Sequence, residues 1–210
     1  MTVLPSVIKV LCVDDHPLIR EGIRVILEGE ETLQLTATAS CGREALAKFD
    51  QHRPDVTLMD LRLPDLHGAE VIARLRQKHC DARIVALTTY PGDVQAMRAL
   101  RAGAMGYLLK STLRTELITT IHAVHAGQRR ISPEVAADIS EHIATKPLSE
   151  REVEVLLGAS AGHTNKVIAG ALHLSQETVQ AHLKNIFVKL GAADRTQAVV
   201  IAMRRGYLLP

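Results

Sequence analysis

Val56-Thr57-Leu58-Met59-Asp60 places an apolar run directly before a carboxylate, and Val10-Leu11-Cys12-Val13-Asp14-Asp15 places another before two. Short, nearly unbroken apolar runs of this kind read as strands covered on both faces. The full set of runs lies at 8–13, 33–39, 56–59, 84–87 and 105–109. Helical periodicity fills the intervals and the end of the series, at 18–27, 43–49, 69–78, 94–101 and 116–126. Five strand–helix units in succession predict an α/β fold: a doubly wound, five-stranded parallel sheet with its ligand site at the carboxyl ends of the strands.

On that edge Asp14, Asp15 and Asp60 converge. Carboxylates brought close together repel and raise one another's pKa unless a cation neutralises them. A hard divalent ion with oxygen ligands, Mg²⁺, suits such a site. Thr88 ends the fourth run and Lys110 the fifth, which adds a hydroxyl and an ammonium. Taken singly, Asp14-Asp15 reads equally as a helix cap, Asp60 as a loop carboxylate, Thr88 as a strand-end residue and Lys110 as a surface lysine. Taken together, the four strand ends hold a carboxylate nucleophile, a metal site and two groups able to stabilise a transferring phosphoryl group. Asp60 is the expected nucleophile, forming an acyl phosphate.

Residues 7–127 resemble a response-regulator receiver domain, the CheY-like fold. The resemblance rests on Val13-Asp14-Asp15-His16-Pro17, Met59-Asp60-Leu61-Arg62-Leu63-Pro64-Asp65-Leu66-His67-Gly68, Ala86-Leu87-Thr88 and Gly103-Ala104-Met105-Gly106-Tyr107-Leu108-Leu109-Lys110. It implies that a histidine kinase phosphorylates Asp60. It also implies that Asp15 binds Mg²⁺ directly and Asp14 through water, with the Arg62 carbonyl as a further ligand. Thr88 then bonds the phosphoryl group as Tyr107 turns inward, and Lys110 pairs with a phosphoryl oxygen. Arg62 and Tyr90 flank the path of a hydrolytic water, and their bulk implies a long-lived phosphoaspartate.

Composition fits this reading. Hydrophobic residues make up 47% of the chain but aromatic ones only 2%, so the core is aliphatic. The three cysteines, Cys12, Cys41 and Cys80, lack metal-ligand spacing and suit a reducing cytosol. Neither a signal-type leader nor a run of eighteen apolar residues occurs, so a cytoplasmic protein without membrane contact is expected. Residues 1–128 carry 15 basic and 15 acidic side chains, whereas 160–210 carry 6 and 2. A basic C-terminal segment suits a polyanion partner or an ordinary solvated surface, and charge alone does not separate the two.

Past Gly127 the pattern changes. Residues 129–146 read as a linker with one short helix, capped by Ser132, begun by Pro133 and running to about 145. From 147 to 210 the pattern is all-α, with four helices. Ser149 and Glu152 have capping-box spacing, helices start near Thr164 and Ser175, Gly191 stops the third, and Asp194 caps the fourth. On the third helix Val179, Leu183, Ile186 and Leu190 share one face, while Glu177, Ala181, Lys184 and Val188 share the other, with Gln180 on its flank. Periodicity leaves open a plain four-helix domain or a helix-turn-helix whose outward face enters a major groove.

Residues 147–208 resemble the helix-turn-helix domain of the NarL/FixJ/LuxR group. Leu148-Ser149-Glu150-Arg151-Glu152-Val153-Glu154-Val155-Leu156, Asn165-Lys166-Val167-Ile168-Ala169, Ser175 with Thr178-Val179, His182, Lys189-Leu190-Gly191 and Arg195-Thr196-Gln197-Ala198 carry the resemblance. It departs from the group at Gln180, where a basic residue is usual, and at Val167, where Glu is common. Lys166, Thr178, Gln180, Ala181, Lys184 and Lys189 are the expected DNA contacts. The whole chain then reads as a phosphorylation-switched transcription factor that binds double-stranded DNA, and not as an enzyme acting on external substrates. Dimerisation on phosphorylation is expected, with the first and fifth helices as one candidate surface and Leu117, Ile121 and Val124 as its apolar part. A protein-interaction switch that binds DNA poorly is the second reading, resting on Gln180. A phosphatase is disfavoured because no separate general acid is evident.

Overall fold

A computed structural model describes residues 7–89, 92–142 and 145–208. The chain divides into two compact units: of the described residues, 7–89 and 96–136 make up the first, and 92–95 with 137–142 and 145–208 the second. In the first unit the strands are β1 (Ile8–Val13), β2 (Leu33–Ala39), β3 (Val56–Asp60), β4 (Ile84–Thr88), β5 (Gly106–Leu109) and β6 (Arg130–Ile131). Its helices are α1 (Pro17–Glu28), α2 (Gly42–His52), α3 (Gly68–Lys78) and α5 (Leu113–His125), while α4 (Asp93–Arg101) and α6 (Pro133–His142) each have residues in both units. The sheet order is β2-β1-β3-β4-β5-β6, and every pairing is parallel.

The sheet therefore has six strands rather than the five expected. Residues 130 and 131, read from the sequence as linker, pair with Gly106 and Tyr107. Gly127 makes this possible. Its φ of 82° ends α5 in the left-handed region, and Gln128 N–H returns to the Ala123 carbonyl at 2.9 Å. The chain then runs back beside β5, and two residues give no periodicity by which to recognise a strand. At the other edge the β1–β2 register slips between Val10 and Leu11. Thr36 is the extra residue, and its hydroxyl donates to the Val10 carbonyl at 3.2 Å.

Strand alternation splits the core between two faces. Val10, Cys12, Leu58, Val85, Leu87 and Leu108 pack with Ile23 and Leu27 of α1 and Leu113, Leu117, Ile121 and Val124 of α5. Leu117, Ile121 and Val124 are thus fully buried and are not the apolar dimer surface expected of them. The exposed apolar side chains of α1 are Leu18 and Val25 instead. Ala45, Phe49, Val71, Ile72 and Leu75, on α2 and α3, are also buried. Pro133 does begin α6, but Ser132 does not cap it with its side chain: its Oγ is buried without a hydrogen-bond partner among the described residues. The described part of the helix runs to His142, and residues 143 and 144, over which it was expected to continue, lie outside the described residues.

The second unit contains α7 (Glu150–Ser160), α8 (Asn165–Leu172), α9 (Gln176–Leu190) and α10 (Arg195–Arg205). The expected caps are present: Ser149 with Glu152 as a capping box, Thr164, Ser175 and Asp194 as N-caps, and Gly191 at the end of α9. Each N-cap satisfies a backbone N–H that a helix start otherwise leaves bare and contributes about 1 kcal/mol, whereas the Gly191 N–H donates back to the Phe187 and Val188 carbonyls at the end of α9. Val155, Leu156, Ile168, Val179, Leu183, Ile186, Leu190, Ala198 and Ala202 form the common core. A tight turn joins α8 to α9 through His173, a non-glycine residue at φ 54°.

Candidate functional site

β1 and β3 are neighbours, so their carboxyl ends bring Asp14 and Asp60 side by side. Asp14 is fully buried and Asp60 nearly so. The Lys110 ammonium bridges them, 2.8 Å from Asp14 Oδ2 and 2.9 Å from Asp60 Oδ2. The other oxygens are also engaged. Asp14 Oδ1 accepts the His16 N–H at 2.9 Å, and Asp60 Oδ1 accepts the Arg62 N–H at 3.1 Å. Asp15 is more exposed and pairs with the His16 ring at 2.6 Å.

The electrostatics follow from that packing. Burial pushes the Asp60 carboxyl above its ordinary value, and the Lys110 ammonium opposes the shift without cancelling it. Burial works against the Lys110 charge, but its bonds to Asp14 and Asp60 prevail and hold its pKa up. Cys12, behind the pocket on β1, is pushed up to about 12 by burial and then by Asp14.

Thr88 is buried at the end of β4. Tyr107 on β5 has no exposed surface, so its ring points inward in this structure. Burial raises the Tyr107 hydroxyl, and the neighbouring Thr88 side chain partly offsets this. Arg62 is half-buried, and its backbone bridges to His67 across the loop. Tyr90, the other residue expected beside the water path, lies outside the described residues.

Three supporting residues take no role from the sequence alone, although Asp65 and Gly68 stand inside the motif that follows β3. Arg20 donates to the Asp14 carbonyl at 2.6 Å and fixes the first acidic turn. Asp65, in the loop after β3, accepts the first two N–H groups of α2, from Gly42 at 2.7 Å and Arg43 at 3.0 Å. Those N–H groups, Arg43 first, hold the Asp65 carboxyl below its ordinary value. Gly68 opens α3 so close to β3 that a Cβ there meets the Asp60 carbonyl oxygen at 2.1 Å.

Donor atoms of Asp14, Asp15, His16 and Asp60 all lie within 4.8 Å of one another. The carboxylate oxygens of this set, two of them from nearly buried side chains, fit a hard divalent cation.

In the second unit α9 turns Val179, Leu183, Ile186 and Leu190 inward, as expected. Gln180, Ala181, Lys184 and Val188 are exposed, Thr178 is half-buried, and Lys166 is exposed on α8. Lys189 departs from the expected set. Its ammonium is 2.6 Å from Glu152 Oε2 and donates to the Pro147 carbonyl at 3.3 Å, so it ties α9 to the start of α7. Arg151 and Arg195 are engaged in the same way. Arg151 donates to the Leu172 carbonyl at 2.5 Å and Arg195 to the His163 carbonyl at 2.5 Å, gripping α8 at both ends. Part of the basic excess therefore serves packing. Among the described residues no helix is long and apolar enough to cross a membrane.

Comparison with known proteins agrees with this architecture. Residues 10–122 match the response regulator receiver domain family, and residues 146–202 match the bacterial regulatory proteins of the luxR family. The chain belongs to the response regulators that join a receiver to a LuxR-type DNA-binding domain, a family of transcriptional regulators. It is 37% identical to the transcriptional regulatory protein YdfI of Bacillus subtilis, over 95% of this chain and 97% of that one. It is 34% identical to the response regulator protein VraR of Staphylococcus aureus, over 96% and 99%. Among solved structures it resembles the response regulator ChrA of a heme-sensing two-component system, with a TM-score of 0.59, 33% identity, and coverage of 98% and 100%. The fold is also that of Salmonella typhimurium RcsB, with a TM-score of 0.70, 23% identity, and coverage of 92% and 98%.

Proposed function

We propose that a histidine kinase phosphorylates this chain on Asp60 and that the modification controls dimerisation and binding to double-stranded DNA in the cytoplasm. The observation that carries the reading is the convergence of Asp60, Asp14 and Lys110 within hydrogen-bonding distance at the strand ends. The division of labour is a receiver over about 1–128, a linker over 129–146 and a DNA-binding domain over 147–210.

Asp60 attacks phosphorus through a carboxylate oxygen, and the bond to the leaving group breaks with its electron pair staying on the leaving group. Lys110 neutralises charge on the phosphoryl oxygens, and Thr88 donates a hydroxyl hydrogen bond to one of them. Asp14, Asp15, Asp60 and the Arg62 carbonyl hold Mg²⁺, which supplies charge neutralisation in the transfer. Tyr107 fills the space beside Thr88 and keeps it oriented. Lys166, Thr178, Gln180, Ala181 and Lys184 face DNA, while Lys189 is withdrawn into its ion pair. Each helix-turn-helix covers one half-site, so pairing two copies raises affinity by avidity.

Acetyl phosphate with Mg²⁺ should add one phosphoryl group by intact mass, and EDTA should abolish the addition. Gel shifts on genomic fragments should tighten with the modification. Undiminished labelling of Asp60→Ala, or DNA affinity equal in both states, counts against the proposal.

A further inference from the structure

The outward face of α9 is poor in charge for a helix that meets a polyanion. Gln180 lies in its N-terminal half, five residues beyond the Ser175 cap, in the part of a recognition helix that approaches base edges. Its side chain is exposed and has no partner among the described residues. Ala181 beside it is exposed and presents only a methyl group. Lys184, one turn on, is the cation on the same face, and Lys189 is held by Glu152. The Glu177 carboxylate folds back onto its own N–H and the Ser175 hydroxyl, which hold it below its ordinary pKa.

We infer that Gln180 reads an adenine in the half-site and that the Ala181 methyl lies against a thymine methyl there. This rests on the DNA-binding reading above and deepens it. A primary amide offers one donor edge and one acceptor edge. In the major groove adenine offers the complement, an acceptor at N7 and a donor at N6. Guanine presents two acceptors, so the amide carbonyl is left facing O6. Cytosine presents only a donor, and thymine an acceptor beside its methyl. Adenine alone among the four satisfies both ends of the side chain, and its pairing partner brings the methyl group that suits Ala181.

The experiment is selection of duplexes from a randomised pool by the full-length chain treated with acetyl phosphate and Mg²⁺, repeated with Gln180→Ala and Gln180→Glu. The wild type should select an A·T pair at one position of each half-site. Replacing it with G·C should weaken binding about 5- to 150-fold, the range of a good bidentate contact. Gln180→Ala should flatten the preference at that position and leave the others intact. Gln180→Glu should move it to cytosine, whose N4 donates to a carboxylate. Replacing the thymine by deoxyuridine should weaken the wild type several-fold. A selected motif unchanged at every position in Gln180→Ala overturns the assignment while leaving DNA binding standing. Selection of no motif by the wild type overturns both.

Discussion

Lys189→Met tests whether this lysine holds the second unit together or touches DNA. The Glu152 side chain is 5% exposed and that of Lys189 19%. Removing one partner of a buried ion pair costs about 3–5 kcal/mol. Glu152 keeps the Ser149 N–H at 2.7 Å and the Ser149 hydroxyl at 3.0 Å, and water reaches the lysine end, so the loss is smaller, about 2 kcal/mol. In a helical domain of this size each kcal/mol moves Tm by about 4–8 °C, which gives a fall of roughly 8–16 °C. Thermal unfolding of the full chain, with hydrogen exchange read separately on α7 and α9 peptides, reports it. The effect depends on pH. Burial raises the Glu152 carboxyl, but Lys189 and Ser149 prevail and hold it below its ordinary value. The stabilisation is complete above the unfolded carboxylate pKa of about 4.3 and is lost as pH falls through the lower folded value. Wild type and variant should therefore converge in acid. An unchanged Tm combined with a weaker salt dependence of DNA binding would refute the reasoning and return Lys189 to the DNA face.

Lys184→Ala should behave in the opposite way, leaving Tm within a degree or two while the salt slope of DNA binding falls by about 1 if the lysine meets phosphate. Gly68→Ala should destabilise the first unit by about 3 kcal/mol in urea unfolding and slow acetyl-phosphate labelling, because the added Cβ meets the Asp60 carbonyl at 2.1 Å. Asp60→Asn should raise the Tm of the metal-free protein at neutral pH. A carboxyl whose folded pKa lies above its unfolded value opposes folding once it ionises, and a lower Tm would contradict that sign. Iodoacetamide at pH 8 should alkylate the exposed Cys80 and spare the buried Cys12, whose pKa is pushed up to about 12, as peptide mass mapping would report.

The sequence made the sheet, the acidic turn and the helix caps legible because each has a local cause. Apolar runs of strand length end on Asp14-Asp15, Asp60, Thr88 and Lys110, and the caps Ser149, Thr164, Ser175 and Asp194 stand immediately before their helices. What escaped depended on partners distant in sequence. Nothing near Lys189 indicates that Glu152, 37 residues earlier, takes its charge. Asp65 looks like an ordinary loop carboxylate until the fold places it on the N-terminus of α2. Leu117, Ile121 and Val124 share a helical face, but periodicity does not say whether that face meets a partner or its own sheet. The two residues of β6 are too few for any pattern to register.

The same two residues and the slip at Thr36 govern how copies of this chain can stick together. An extended sheet margin is a template onto which a second chain can add by main-chain pairing. Here one margin is β6, too short to anchor such an addition. The other, β2, is bent out of line where the Thr36 hydroxyl takes up the Val10 carbonyl. Polymerisation along the sheet is thereby closed off in both directions, and self-association is left to helical surfaces. Amide exchange along β2 and β6 should accordingly be the same in monomer and dimer, and protection of either strand on dimerisation would contradict it.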